Sequence, residues 1–200
     1  GNCICDDEAC REASKQEIIR RYFDALNALA KGSTSEKEAQ KIELLMNMAG
    51  ITVTDRKVVI KALERAKETD GPAAALELRD GRIITGKTTN LLGASAALLL
   101  NVLKVLAGID HETHIISPES IEPIQKLKVD YLKSKNPRLH TDEVLIALSA
   151  SAATNPQARL ALSQLPELAG CQAHTSVMLS DVDIKIFKKL EVQLTSEAVY

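Results

Sequence analysis

Residues 73–107 constrain the fold more than any other stretch, because two short apolar segments, a turn signal and the most apolar helix-length segment follow one another there. Ala73–Leu78 and Arg82–Thr85 predict two strands. Asp80-Gly81 between them is typical of a two-residue type I′ hairpin turn, whose positive φ angles Gly and Asp tolerate. Residues 90–107 predict a helix that is buried on most sides. We therefore expect a sheet covered by helices.

The same stretch contains a P-loop pattern. Residues 81–88, GRIITGKT, match G-x-x-x-x-G-K-[ST] at every defined position. A P-loop wraps phosphates with consecutive backbone N–H groups, so its inner residues are usually small and unpaired. Ile83 and Ile84 instead favour an extended, paired backbone. We predict a hairpin here, with the P-loop as the less favoured alternative.

The rest of the chain divides at Pro72. Helical spacing of apolar residues predicts three amphipathic helices before it, and helices alternate with short strands after it. The predicted fold class is therefore α/β, with a helical subdomain at residues 1–71 and an α/β/α sandwich at residues 72–200. The predicted helices after residue 107 begin at Ser117, Thr141, Asn155 and Ser180, and the predicted strands are Thr113–Ile116, Gln172–Leu179 and Val192–Thr195.

Composition limits the classes of partner. The net charge is -2 and no basic cluster stands out, which argues against a nucleic-acid partner. Leu91–Ile109 is long enough to suggest a membrane span, but Asn101 and Lys104 interrupt it. The chain starts polar and acidic, without the pattern of a signal peptide. We expect no membrane partner and a cytoplasmic location.

Three of the four cysteines, Cys3, Cys5 and Cys10, lie close together as C-x-C-x4-C. A metal site there would need a fourth ligand, and usually a C-x-x-C pair. Free thiols in a reducing cytoplasm are the favoured interpretation.

The candidate catalytic residues are His140, Glu143, Cys171 and His174. His140 and Glu143 are three residues apart at a predicted helix start, and Cys171-x-x-His174 opens a predicted strand. Together the four would make an acceptable zinc set, or a cysteine–histidine nucleophile pair. Singly, each has a structural explanation, such as a helix-start carboxylate or a buried core residue.

The candidate ligand-binding residues surround the predicted start of the helix at residue 90. The free N–H groups of a helix N-terminus attract anions. We expect these residues to bind a small anionic or nucleotide-like molecule, and the sequence identifies no cofactor. The candidates are Lys87, Thr88, Thr89, Asn90 and Arg138.

Several segments resemble the bacterial domain-of-unknown-function family numbered 1846, over essentially the whole chain. These segments are DDEACREASKQEIIRRY, KIELLMNMAG, DGRIITGKT, NPRLHTDEVLIALS, AATNP and GCQAH. The resemblance implies that the chain is the C-terminal portion of a longer protein. The missing N-terminal region would carry a separate glycine-rich, P-loop-like segment. Some members carry an ATP-dependent peptidase label, but no H-E-x-x-H motif is present here, and the family has no settled activity.

The resemblance also implies the three-layer topology of cytidine deaminases. Zinc deaminases place His or Cys with Glu at the helix after the hairpin, and P-C-x-x-C at the next helix. Here residues 93–96 and 117–120 occupy those positions and hold no zinc ligand. The expected topology therefore comes without the deaminase zinc motif, and without its chemistry.

Two functional hypotheses remain open at this stage. In the first, the chain is part of an enzyme and forms a polar pocket for a small anionic ligand. In the second, it is a non-catalytic interaction or oligomerisation module that serves an N-terminal nucleotide-binding domain. The expected partners are its own N-terminal region, a second copy of the chain and the anionic ligand.

Overall fold

A computed structural model describes residues 6–200. In that range the chain forms eight α-helices and one four-stranded mixed sheet. The helices are Asp7–Ala30 (α1), Glu36–Ala49 (α2), Lys57–Thr69 (α3), Ala94–Leu106 (α4), Pro118–Lys126 (α5), Thr141–Ser151 (α6), Pro156–Leu162 (α7) and Asp181–Lys189 (α8). The strands are Ala73–Glu77 (β1), Ile83–Lys87 (β2), Gln172–Thr175 (β3) and Gln193–Ser196 (β4).

The sheet has the strand order β2-β1-β3-β4. β1 is antiparallel to both of its neighbours, and β3 is parallel to β4. Leu76 of β1 stands opposite Ile84 of β2 and Ala173 of β3. The α/β class is therefore confirmed.

The P-loop pattern forms a hairpin, as predicted, but the turn is not the predicted type I′. Leu78 N donates to Arg82 O at 2.8 Å, which leaves a three-residue loop, residues 79–81. Gly81 has φ +84°, whereas Asp80 is not in the left-handed region. A three-residue loop that ends in a left-handed Gly is the next commonest hairpin connection. Gly81 is therefore explained by the turn.

The second glycine of the pattern, Gly86, is explained by helix packing. A Cβ atom at Gly86 would lie 2.2 Å from the backbone N of Leu98 in α4. No side chain fits at that distance, so only glycine lets α4 approach β2 this closely. Both glycines of the motif thus have structural roles.

Helices cover both faces of the sheet. Alternate residues of β1 point to opposite faces, as a pleated strand requires. Ala74 and Leu76 join the main core with α4, α6, α7 and α8, while Ala75 packs against Val58 and Ala62 of α3. Because α3 packs on one face of the sheet, the first seventy residues supply part of the helical layer that covers that face. The predicted division at residue 71 remains a prediction.

The predicted strand Thr113–Ile116 is wrong. Thr113 N donates to Asp110 O at 3.1 Å in a turn, and the segment forms no strand. Ile115 and Ile116 are nevertheless buried in the main core. A short run of apolar residues indicates that the segment is buried. Its periodicity alone does not distinguish a buried loop from a strand, which explains the wrong prediction.

Within residues 6–200, no helix combines the length and apolar character that crossing a membrane requires. Cys3 and Cys5 lie outside the described residues. The interpretation of the Cys3, Cys5 and Cys10 cluster therefore also falls outside the part of the chain that the structure describes. Cys10 is exposed on α1 and Cys171 is buried, and both are free thiols.

Candidate functional site at the end of β3

The segment before α4 is extended, so the helix begins at Ala94 rather than near Asn90 as predicted. Leu139 N donates to Leu91 O at 2.9 Å, and Gly93 N donates to Leu139 O at 3.2 Å. These bonds form a short parallel bridge between Leu92 and Leu139. The bridge brings the residues that precede α6 beside the first turn of α4.

A cleft of about 260 Å³ lies where this bridge meets the carboxyl end of β3. The N-terminal ends of α4, α6 and α8 all reach it. In open α/β sheets, ligands bind in the crevice outside the carboxyl ends of the strands. The polar residues that line the cleft are Thr88, Ser95, Asn136, Arg138, His140, Thr175, Ser180 and Asp183.

The first turn of α4 presents unused hydrogen-bond donors to the cleft. Its N-cap residue is Gly93, which has no side chain to cap the helix. The N–H groups of residues 94–96 have no acceptor within residues 6–200, and the first helical bond runs from Ala97 N to Gly93 O. Ser95 is only 3% exposed as a residue, but its hydroxyl oxygen is not among the buried unsatisfied atoms, and it makes no hydrogen bond within residues 6–200.

Arg138 stands at the rim of the cleft in a fixed position. Its Nε donates to Thr89 O at 2.8 Å, and its backbone N donates to Asn136 Oδ1 at 3.1 Å. Its carbonyl accepts from Lys128 Nζ at 2.6 Å. Both terminal guanidinium nitrogens are left without a partner among residues 6–200 and remain available to a ligand.

His140 and Asp183 form a pair in the cleft wall. His140 Nδ1 lies 3.1 Å from Asp183 Oδ2, and its hydrogen bond to that carboxylate raises the pKa of His140. His140 Nε2 has no partner within residues 6–200. An aspartate on Nδ1 fixes the orientation of an imidazole and leaves Nε2 for a ligand or a proton.

Asp183 is held by donors from two helix starts. It accepts from Thr141 N at 3.0 Å, Thr141 Oγ1 at 2.9 Å and Ser180 Oγ at 2.7 Å. Burial alone would raise the pKa of Asp183, but the hydrogen bonds from His140, Thr141 and Ser180 together lower it. Sequence reasoning selected His140 and missed Asp183 and Ser95. The capping-box spacing of Ser180 and Asp183 was the available signal.

Glu143 has a structural role beside His140. It accepts from His140 N at 2.8 Å, which closes a capping box, and from the buried Lys128 Nζ at 2.7 Å. Its carboxylate is therefore occupied by the helix start and an ion pair.

Cys171 and His174 lie apart from the cleft. Cys171 Sγ donates to Glu167 O at 3.6 Å, and burial raises the pKa of this thiol. A raised pKa disfavours the thiolate that a nucleophilic cysteine needs. His174 Nδ1 lies 2.8 Å from Thr195 Oγ1, on the face of the sheet covered by α1. No hydrogen bond in the described chain joins Cys171 to His174, so the proposed nucleophile pair is not assembled.

The four residues of the zinc hypothesis are also not brought together in the described chain. In the part of the chain that the structure describes, no group of three or more His, Cys, Asp or Glu residues could hold a metal ion. His140 and Glu143 are adjacent, but Cys171 and His174 each have their own partners elsewhere.

Arg56, a buried arginine that the sequence did not single out, shares a hydrogen-bond partner with His174, the hydroxyl of Thr195. Arg56 is 1% exposed, and its guanidinium donates to Thr195 Oγ1 at 3.1 Å and to Ala173 O at 3.0 Å. Burial lowers the pKa of Arg56 to about 10. The Phe23 ring of α1 packs 4.8 Å from the His174 ring, measured between centroids. This network joins α1 and the start of α3 to the sheet.

The five predicted ligand-binding residues divide between two cavities. Thr88 and Arg138 line the cleft, whereas Lys87, Thr89 and Asn90 line a neighbouring cavity of about 580 Å³. The roles assigned to these residues remain predictions.

Fold and cleft together define a mixed α/β protein with a small polar cleft at the carboxyl end of a parallel strand pair. A family model described as the C-terminal domain of unknown function DUF1846 matches residues 54–200, and the N-terminal model of the same family matches residues 1–50. The chain therefore belongs to the DUF1846 family, as the sequence resemblance predicted.

The chain is similar to proteins called UPF0371 in several bacteria. It is 58% identical to that of Corynebacterium aurimucosum, 56% to that of Corynebacterium urealyticum and 48% to one of Streptococcus thermophilus, each over all 200 residues. The chain spans 40% of the length of each of these relatives. Their names describe uncharacterised proteins, and the function of the family is unknown.

Proposed function

We propose that the cleft binds the anionic group of a small molecule, such as a phosphate or a carboxylate. The observation that carries the proposal is the uncapped first turn of α4, with three unused N–H groups and, beside them, the Ser95 hydroxyl, which makes no hydrogen bond within residues 6–200. Helix N-termini attract anions through these N–H groups and the helix dipole. The Ser95 hydroxyl can donate a further hydrogen bond to a bound oxyanion.

Arg138 and His140 add positive charge to the same cleft. The planar guanidinium of arginine matches the geometry of phosphate and carboxylate oxygens, and Arg138 keeps both terminal nitrogens available. His140 is cationic below its raised pKa. The negative charge of Asp183 is offset by the donors that surround it, so it opposes an anion only weakly.

The size of the cleft selects among ligands. Pockets for drug-sized molecules are typically about 300–1,000 Å³, and this cleft lies just below that range. A phosphate or a small phosphorylated or carboxylated molecule would fill it. A nucleotide would have to leave its base outside or extend towards the neighbouring cavity, which Lys87 lines.

The proposal also includes the predicted topology, cellular location and oligomeric state. We infer a deaminase-like topology without deaminase chemistry, and the hairpin beside a parallel strand pair supports it. A cytoplasmic location and a homo-oligomer stay proposals. Whether the bound ligand is a substrate depends on the rest of the protein. If it is, the free Nε2 of His140 would serve as the general acid or general base of the reaction.

The test is a titration of the isotope-labelled chain with inorganic phosphate, and in a second series with adenosine monophosphate, followed by amide NMR. We expect saturable shifts at Ala94, Ser95 and Ala96. Arg138→Gln should weaken phosphate binding about tenfold or more, since hydrogen bonds between charged groups contribute about 1.5–3 kcal/mol. Ser95→Ala should weaken it by a smaller factor.

Lys87→Gln is the matched control, because Lys87 is a surface cation outside the cleft. It should leave phosphate affinity unchanged. The proposal fails if phosphate does not shift the amides of residues 94–96, or if Lys87→Gln weakens binding and Arg138→Gln does not. Tighter binding of adenosine monophosphate than of phosphate would identify a nucleotide ligand.

A further inference from the structure

The helix α2 exposes an apolar face to solvent. Leu44, Leu45 and Met48 are 60%, 49% and 78% exposed, and we call these three residues the α2 face. The opposite side of the helix is buried through Ala39 and Met46. Single exposed apolar residues are normal on protein surfaces, but three within little more than one helical turn form a patch that usually marks a contact.

The patch lies on a helix that has few other contacts. Met46 is the residue through which α2 enters a small core with Ile19, Phe23, Ile51 and Val59. Leu45 also lines a groove between α1 and α2, together with Ile18 and Ile42. Apolar side chains therefore continue from the α2 face into the groove, which charged residues of both helices also line: Glu17, Arg20, Arg21 and Glu38.

The family boundary indicates what covers the α2 face. The N-terminal family model ends at residue 50, directly after α2, and the C-terminal model begins at residue 54, just before α3. Residues 1–50 are thus the end of the N-terminal domain, and the chain spans 40% of its relatives. A helix that closes a domain buries its apolar side against the core of that domain.

We propose that the α2 face packs against the remainder of the N-terminal domain in the longer protein. The helix pair α1–α2 then belongs to both domains. α1 binds the sheet, since Asn27 Nδ2 donates to Ser196 O at 2.8 Å, and α2 presents the apolar surface on its other side. The inference is independent of the anion cleft, because no residue of the α2 face lines it.

Cysteine labelling tests the proposal with folded proteins of both lengths. Met48→Cys is made in this chain, and a cysteine is placed at the aligned position of the full-length Corynebacterium aurimucosum relative. Maleimide labelling rates are measured by peptide mass spectrometry, which separates the new site from the exposed Cys10. We expect the rate in the full-length protein to be at least tenfold lower.

Lys189→Cys and the aligned cysteine in the relative form the matched control, because residue 189 is exposed on α8. Their labelling rates should agree between the two lengths. Equal rates at position 48 would overturn the proposal. Protection that arises in the 200-residue chain alone, and increases with its concentration, would also overturn it, because a second copy would then occupy the face.

A second measurement needs no substitution. Hydroxyl-radical labelling of both unmodified proteins should modify the peptide that contains the α2 face less in the full-length relative than in this chain. Met46, which is 5% exposed here, reports the baseline for a buried residue of the same helix. Equal modification of the α2 peptide in both proteins would contradict the proposal even if a cysteine variant failed to fold.

Discussion

His140 Nδ1 lies 3.1 Å from Asp183 Oδ2, although 43 residues separate them in the chain. His140 is the N-cap residue of α6, and Asp183 lies in the first turn of α8. The contact therefore fixes two helix starts against each other at the wall of the cleft. It also sets the charge of the imidazole that faces the proposed anion.

Asp183→Asn should lower the pKa of His140. The asparagine keeps the shape of the side chain and an acceptor for Thr141, but it removes the carboxylate whose hydrogen bond raises the pKa. The measurement is an NMR titration of the His140 ring resonances. Asp181→Asn is the control, because Asp181 is highly exposed and should leave the His140 pKa unchanged. An unaltered pKa in Asp183→Asn would show that the pair does not control His140.

The same substitution should have a stability effect that depends on pH. The pKa of His140 is raised, so its contribution is complete below the ordinary value of 6.5 and is lost as pH rises through the raised pKa. The pKa of Asp183 is lowered, so its contribution is complete above the ordinary value of 3.8 and is lost as pH falls through the lowered pKa. The loss of unfolding free energy in Asp183→Asn should therefore be largest between pH 3.8 and 6.5.

Urea unfolding of the wild type and Asp183→Asn across this range measures the difference. It should shrink on both the acid and the alkaline side of the window. A difference that stays constant from pH 4 to pH 9 would indicate that packing, and not charge, accounts for the effect of the substitution.

Gly86→Ala should destabilise the protein strongly. A Cβ at residue 86 would lie 2.2 Å from Leu98 N, and backbone atoms of a packed helix cannot move aside without loss elsewhere. Overpacking of this kind costs about 1–3 kcal/mol or more, measured as the free energy of unfolding in urea.

Gly71→Ala is the control for Gly86→Ala. The nearest atom to its added Cβ is Thr69 O at 3.8 Å, and Gly71 does not have a positive φ. Its free energy of unfolding should change by less than about 1 kcal/mol. Equal effects of the two substitutions would refute the packing explanation of the P-loop-like glycine.

The sequence correctly predicted those elements whose determining residues lie close together in the chain. The hairpin followed from adjacent isoleucines and a turn dipeptide, and α7 and α8 begin at the Asn155 and Ser180 caps that the sequence indicated. The start of α4 was misplaced because Leu91 and Leu92 are held extended by Leu139, which is distant in the sequence. Such a contact leaves no periodic signal.

The candidate site was predictable only in part, because it too depends on contacts between residues that are distant in the sequence. Arg138 and His140 stood out because they form a polar cluster before an apolar helix. Ser95 is a single hydroxyl in an apolar helix, and its importance arises only where three helix starts converge. Cys171 and His174 are close in sequence, but a strand sends neighbouring side chains to opposite faces, so sequence proximity gave the wrong impression.

Arg56→Met should cause the largest loss of stability among these substitutions. The guanidinium is buried, and its partners include Thr195 Oγ1, Ala173 O and Gln16 Oε1, which join α1 to β3 and β4. Methionine fills most of the volume but leaves buried acceptors without donors. Each buried, unsatisfied group costs about 1–3 kcal/mol, and we expect a total loss of about 3–5 kcal/mol in urea unfolding.

Arg79→Met is the matched control for Arg56→Met. Arg79 is a surface arginine whose ion pair with Glu167 has an N–O distance of 3.7 Å. Exposed pairs contribute about 0–1 kcal/mol, so this variant should unfold almost as the wild type does. If Arg56→Met instead matched the control, the buried network would be replaceable by apolar packing. The attachment of α1 to the sheet would then rest on the apolar contacts of Phe23 and its neighbours and on the hydrogen bond between Asn27 and Ser196.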